Sequence, residues 1–146
     1  ALNDMGSRLF LKIREELGLA YYVGTQNFAG RIPGCFTFYA GTAAKSAAQV
    51  EEELTRQAKR LAKEGLTEDE LRRAKAKLTG HKKIARQDLG SVAFATCMDE
   101  LLGLGYNHHA EEDIRIESVT LEQVRDVANR YFGTEQFATA VSLPSN

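Results

Sequence analysis

Cysteine is scarce in this chain: Cys35 and Cys97 are the only two among 146 residues, far apart and outside any Cys-x-x-Cys pair. That spacing excludes a disulfide framework and a thiolate metal site, and the expectation is two free thiols packed in the interior. Long apolar runs are missing as well. No segment has the length of a transmembrane helix and no signal peptide opens the chain, which leaves the compartment open with the cytoplasm favoured. An excess of one charge is also missing. Basic side chains number 19 against 20 acidic ones, interleaved along predicted helices, so nothing points to nucleic acid or to a membrane surface. Internal repeats and low-complexity segments are absent too. What remains is 43% hydrophobic and 27% charged, the composition of one ordinary domain, 1–146, that buries a real core. The first residue is Ala1, not methionine, so the chain reads as a piece of something longer.

Complete catalytic motifs are lacking. Ser7, Ser46, Ser91, Ser118 and Ser142 sit in no Gly-x-Ser-x-Gly elbow, neither cysteine has an identifiable histidine partner, and the glycines lack phosphate-loop spacing. His108-His109-Ala110-Glu111-Glu112 approaches the inverted zinc-peptidase pattern His-x-x-Glu-His, in which two histidines on a helix hold the metal. Position 112 is glutamate, so the second histidine is missing and a polar loop entering a short helix is the expected reading. A small metal-binding module built from His108, His109 and Glu112 is the competing one. His81, among Lys82, Lys83 and Arg86, reads as a solvated helix residue.

The most informative stretch is 6–24, GSRLFLKIREELGLAYYVG. Met5, Leu9, Ile13 and Leu17, with Phe10 beside them, have the spacing of one buried helical stripe. Gly18 follows as a left-handed terminator, after which Ala20-Tyr21-Tyr22-Val23 extends. Arg14 and Tyr21 flank that break. In the plain reading Arg14 makes a surface ion pair and Tyr21 packs in the sheet. In the functional reading a guanidinium fork and a phenol stand together at one sheet end and donate hydrogen bonds to a peptide carbonyl or an oxyanion.

Two aromatic and β-branched segments, 21–28 and 35–41, form a predicted hairpin through Gly30 and Pro33-Gly34, the second strand apolar on both faces and therefore internal. Thr42 is the expected cap of a helix over 43–64 with Ala47, Val50, Leu54, Ala58 and Leu61 as its stripe, closed by Gly65. Thr67 and Glu70 spell a capping box for a long helix through Leu71, Ala74, Leu78 and Ala85, which Gly80 or Gly90 would kink or divide before 92–102 continues. Gly103 and Gly105 stop it. Shorter helices over 111–118 and 120–132 follow, the latter boxed by Thr120 and Gln123, and a strand over 137–143 ends the chain. The sum is an α+β domain, with helices covering one face of a mainly antiparallel sheet.

The same residues resemble the pitrilysin/insulinase family of zinc metallopeptidases, the group that includes the mitochondrial processing peptidase subunits. SRLFLKIREELGLAYYVG at 7–24, GLTEDELRRAKAKL at 65–78, DLGSVAFATCMDELLGLG at 88–105 and IESVTLEQVRDVANRYF at 116–132 carry the likeness. It implies most of the C-terminal, non-zinc domain of such an enzyme, a metallohydrolase-like α/β roll truncated at its N-terminus before the Gly-Ser-Arg-Leu segment. It also implies zinc in the parent enzyme but none in this fragment, whose catalytic helix belongs to an N-terminal domain or a partner subunit. No residue here would then be catalytic. Arg14 and Tyr21 would contact the peptide substrate near the scissile bond, and the fragment alone would be inactive. The alternative that the family allows is a non-catalytic partner subunit or structural paralogue. Truncation is also expected to expose a sheet edge, so that the fragment forms a homo-oligomer.

Overall fold

The computed structural model describes residues 6–28, 34–134 and 137–143. They fall into two compact units, Ala1–Glu64 with Asp126–Asn146, and Gly65–Arg125.

In the first unit the opening helix forms where the periodicity predicts it but is wound differently. Phe10–Glu16 is a π-helix. Ser7 Oγ accepts from the Phe10 N–H at 3.2 Å at its start, and the Leu17 N–H donates to the Lys12 carbonyl, five residues back, at 3.1 Å at its end. Gly18 then takes φ +61° as expected, and the Leu19 N–H closes the turn on the Ile13 carbonyl at 2.9 Å. Leu9 and Ile13 are buried, Leu17 is half-buried, and Met5 lies outside the described residues.

The chain now extends into β1 (Ala20–Phe28), which pairs antiparallel with β2 (Cys35–Thr42) to make a two-stranded sheet. Both lie within a residue of the predicted strands; Gly30 and Pro33 fall outside the described residues. The register sets Val23 opposite Ala40 and Thr25 opposite Phe38, and a bulge interrupts it between Ala20 and Tyr22. Val23 and Thr25 are buried. Thr42 does not cap the next helix. Its hydroxyl donates to the Leu19 carbonyl at 2.5 Å, so it ties the end of β2 to the start of β1, and Ala43 stands at the cap of a 3₁₀ turn, Ala44–Ser46.

Helix α1 (Ala47–Glu64) follows and packs on β2. Val50, Ala58 and Ala62 are buried along it, and so are two polar residues the apolar pattern passes over, Glu53 and Gln57. Burial of a carboxylate requires partners. Glu53 pairs with Arg56, three residues along the helix, and accepts from the Gln57 side-chain amide at 2.6 Å. Leu9, Ile13, Ala20, Val23 and Val50 form the core, with Phe10, Leu19, Phe38, Ala40 and Leu54 packed around them. Phe132 adds an aromatic contribution, its ring 5.1 Å from Phe36 and 5.4 Å from Phe38.

Residues 137–143 form no strand. Their alternation of large and small side chains suits a pleated strand, but a strand exists only through a ladder, and the described sheet contains β1 and β2 alone. The buried thiols are a second correction. Cys35 and Cys97 are both exposed, the first at the start of β2 and the second in the helical segment Leu89–Leu101, where neighbouring Phe94 and Leu101 are exposed as well.

The second unit is helical. Thr67 and Glu70 form the capping box, the Glu70 N–H donating to the Thr67 hydroxyl at 3.2 Å and the Thr67 N–H to the Glu70 carboxylate at 2.8 Å. Helix α2 (Glu68–Ala85) runs through Gly80 unbroken. The division comes at Asp88, whose carboxylate accepts from the Ser91 N–H at 2.7 Å and so starts α3 (Leu89–Leu101). An N-cap decides the break, and the glycines do not. Gly103 and Gly105 then turn the chain with φ +74° and +88°. A 3₁₀ turn, His108–Glu111, leads into α4 (Glu112–Ser118), and the reciprocal Thr120–Gln123 bonds begin α5 (Leu121–Phe132). Within Gly65–Arg125 no apolar side chain is fully buried among the described residues. Polar contacts link its helices instead: Lys82 with Glu112, Arg86 with Asp113 at 2.7 Å, and Lys75 with the Glu117 carbonyl at 2.7 Å. The whole is α+β with antiparallel pairing, as the sequence implies.

Candidate functional site

Arg14 occupies the last turn of the π-helix, seven residues before Tyr21, and the Gly18 reversal folds the two toward each other. The guanidinium carbon of Arg14 lies 4.8 Å from the centre of the Phe10 ring and 5.8 Å from that of Tyr21. A cation over a ring gains about 0.5–1 kcal/mol per contact at an exposed site. Its ion pair with Glu15 is long, 3.9 Å, between side chains that are both exposed, and so holds it weakly. Tyr21 is 82% exposed and does not pack in the sheet. The structure therefore brings the two residues together on open surface.

The bulge explains how a strand residue reaches that position. Ala20 pairs with Thr42 and Tyr22 with Gly41, so Tyr21 is the extra residue, freed from the ladder and re-aimed. Sequence reasoning did not find the residues beside it. Tyr22 stands edge-on to Tyr21 at 6.5 Å with the planes at 83°, and Tyr39 lies 6.2 Å beyond. Phe10, Arg14, Tyr21, Tyr22 and Tyr39 thus form one line of touching groups along the sheet end. The only signal in the sequence was the Tyr21-Tyr22 pair in one strand and Tyr39 two residues before Gly41 in the other, and pairing across strands is needed to read it.

The histidine segment is arranged otherwise. His109 presents Nδ1 to Asp99 at 3.0 Å and donates its backbone N–H to the same carboxylate at 2.8 Å, while its carbonyl accepts from Arg86 at 3.0 Å. The His108 carbonyl accepts from Arg115 at 2.6 Å, and Glu112 is paired with Lys82. His81 is exposed. No group of three or more His, Cys, Asp or Glu side chains that could hold a metal occurs among the described residues. These contacts do shift acidity. Partial burial pushes the Asp99 carboxyl up, but the two bonds from His109 and the nearby histidine charges outweigh it and leave it lowered. The hydrogen bond from Arg86 holds Asp113 below the ordinary carboxylate value and raises Arg86 in return.

A family model described as the peptidase M16 inactive domain matches residues 2–78. Among curated relatives, the uncharacterized zinc protease YmxG of Bacillus subtilis is 33% identical over 144 residues, which cover 98% of this chain and 35% of that protein. An uncharacterized zinc protease of Rickettsia bellii is 33% identical over 150 residues, 99% of this chain and 34% of its own length. The chain spans about a third of the length of these relatives. Among solved structures, a conserved protein from Enterococcus faecalis superposes with a TM-score of 0.74 at 27% identity, covering 88% of this chain and 30% of that one. The peptidase M16 inactive domain from Pseudomonas fluorescens gives 0.78 at 22% identity, over 87% and 30% respectively, a likeness of fold alone.

Proposed function

The chain belongs to the peptidase M16 inactive-domain family, and from that membership we propose that it is the substrate-gripping C-terminal part of a zinc endopeptidase acting on peptides or unfolded segments. The observation that carries this reading is the Arg14 guanidinium resting 5.8 Å from the ring of a Tyr21 that is 82% exposed. Two hydrogen-bond donors standing together on open surface, with no base or nucleophile between them, suit binding and charge stabilisation rather than bond-breaking. Zinc held by an N-terminal domain of the parent or by a partner subunit would supply Lewis-acid activation of water. Tyr21 donates its phenolic hydrogen to the substrate carbonyl, and Arg14 donates to the same group or to a neighbouring one. Both bonds strengthen as negative charge develops on the carbonyl oxygen. Neither residue loses its proton, so this chain alone cleaves nothing.

The description of the family as inactive favours a second reading, a partner subunit of the same fold that never touches substrate. A His-x-x-Glu-His segment upstream in the parent reading frame, or in a neighbouring gene, separates the two. In the intact parent, Arg14→Ala and Tyr21→Phe should each lower turnover about 100-fold, the usual cost of losing one oxyanion donor, with zinc content and melting temperature unchanged. Unaltered turnover removes both residues from the site.

A further inference from the structure

We propose that Tyr22 is a positioning residue that acts through Tyr21 and is itself held by Gly41; this rests on the reading of Arg14 and Tyr21 as substrate contacts. Tyr21 needs such support. At 82% exposure it lacks the packing that locks a rotamer, and the bulge has removed it from the strand ladder. An exposed phenol free to swing samples many orientations, and a donor that is ordered only on binding costs affinity and rate.

Tyr22 supplies the support together with Arg14. Its ring meets that of Tyr21 edge to face, planes at 83° and centroids 6.5 Å apart, which is a favoured aromatic geometry. Tyr22 is fixed in turn. It pairs with Gly41 across the ladder and lays its ring over that residue, where a Cβ would fall 2.9 Å from Cδ1 and closer still to Cε1 and Cζ. Only glycine leaves that space. Tyr39 flanks the ring at 6.2 Å. The glycine in β2 therefore seats one tyrosine, and that tyrosine sets the direction of the next. Consecutive strand residues ordinarily point to opposite faces, so this contact exists because of the bulge.

The test uses the parent protein and a fluorogenic, unstructured decapeptide. Tyr22→Phe keeps the ring and should keep kcat/KM within about twofold. Tyr22→Leu should lower it about tenfold, and so should Gly41→Ala, whose methyl group takes the ring's place. In a Tyr21→Ala background Tyr22→Leu should have no further effect, because a residue acting through Tyr21 has nothing left to act on. A full additional loss in that background overturns the proposal, since it marks a general structural role. If Gly41→Ala does not fold, the Tyr22 series decides alone. Should Arg14→Ala and Tyr21→Phe lower activity while Tyr22→Leu leaves it unchanged, this inference fails and the substrate-contact reading stands. If the first pair also leaves activity unchanged, that reading fails with it. Where the parent does not cleave the decapeptide, the same variants are ranked by its Kd from fluorescence anisotropy, and absence of binding overturns both.

Discussion

Replacing Ile13 tests the packing on which the site stands. It is the largest fully buried side chain described, at 0% exposure, and sits one residue before Arg14 in the π-helix. Ile13→Ala removes three carbons, worth about 2.4 kcal/mol at roughly 0.8 kcal/mol per buried methylene. A cavity adds to this. Its lining residues Leu9, Ala20, Val23 and Val50 are held by strand and helix backbone and collapse only partly, so the total should be about 3–4 kcal/mol. With a urea m-value of about 2 kcal/mol/M, the midpoint falls by about 1.5–2 M, whereas Ile13→Val should move it by about 0.5 M. The chain has no tryptophan, so tyrosine fluorescence and near-ultraviolet dichroism report the transition. A midpoint change for alanine no larger than that for valine would refute the claim that this residue anchors the opening helix to the sheet.

Acid should loosen the helical unit before the hairpin unit. Asp113, bonded to Arg86, and Asp99, drawn down by His109 against its partial burial, both titrate below the ordinary 3.8. A lowered native pKa gives stability that is complete above the unfolded value and disappears as pH falls through the native one, so helicity should drop below about pH 4. Asp113→Asn should flatten that transition in a dichroism titration, and an unchanged acid limb would count against the Arg86–Asp113 link. Self-association is the other expectation. Each strand of a two-stranded sheet has one unpaired edge, and Phe94, Leu101 and Tyr106 are exposed on the helical unit. Sedimentation should show the mass rising with concentration, and a strict monomer at high concentration would exclude it.

Local chemistry was the legible part of this fold. Thr67 with Glu70, Thr120 with Gln123, and Gly18 act within four residues of themselves, and each does in the structure what its type and spacing dictate. The proximity of Arg14 and Tyr21 could be read because one glycine reversal brings the two segments together, whereas the bulge that re-aims Tyr21 could not. What escaped depends on distant partners. Thr42 prefers the Leu19 carbonyl, 23 residues away, to the nearby helix start. Glu53 and Gln57 look like solvated positions until one sees the Gln57 amide donating to the Glu53 carboxylate one helical turn away. The strand pattern of 137–143 finds no ladder, and Tyr22 acquires meaning only when the register sets it over Gly41. Nor does a stripe of apolar residues distinguish α from π winding, because Leu9 and Ile13 are buried in either.

Winding by five instead of four makes the opening helix a gauge of length. Leu11, Glu15 and Glu16 face solvent, so natural variation can exchange their side chains freely. Loss of a single residue between Ile13 and Gly18 would restore the tighter ladder with sounder backbone bonds, yet swing all that follows by about 100° about the axis. Homologous chains should therefore drift in composition at Leu11, Glu15 and Glu16 while keeping the residue count of this stretch, the reverse of what surface loops permit.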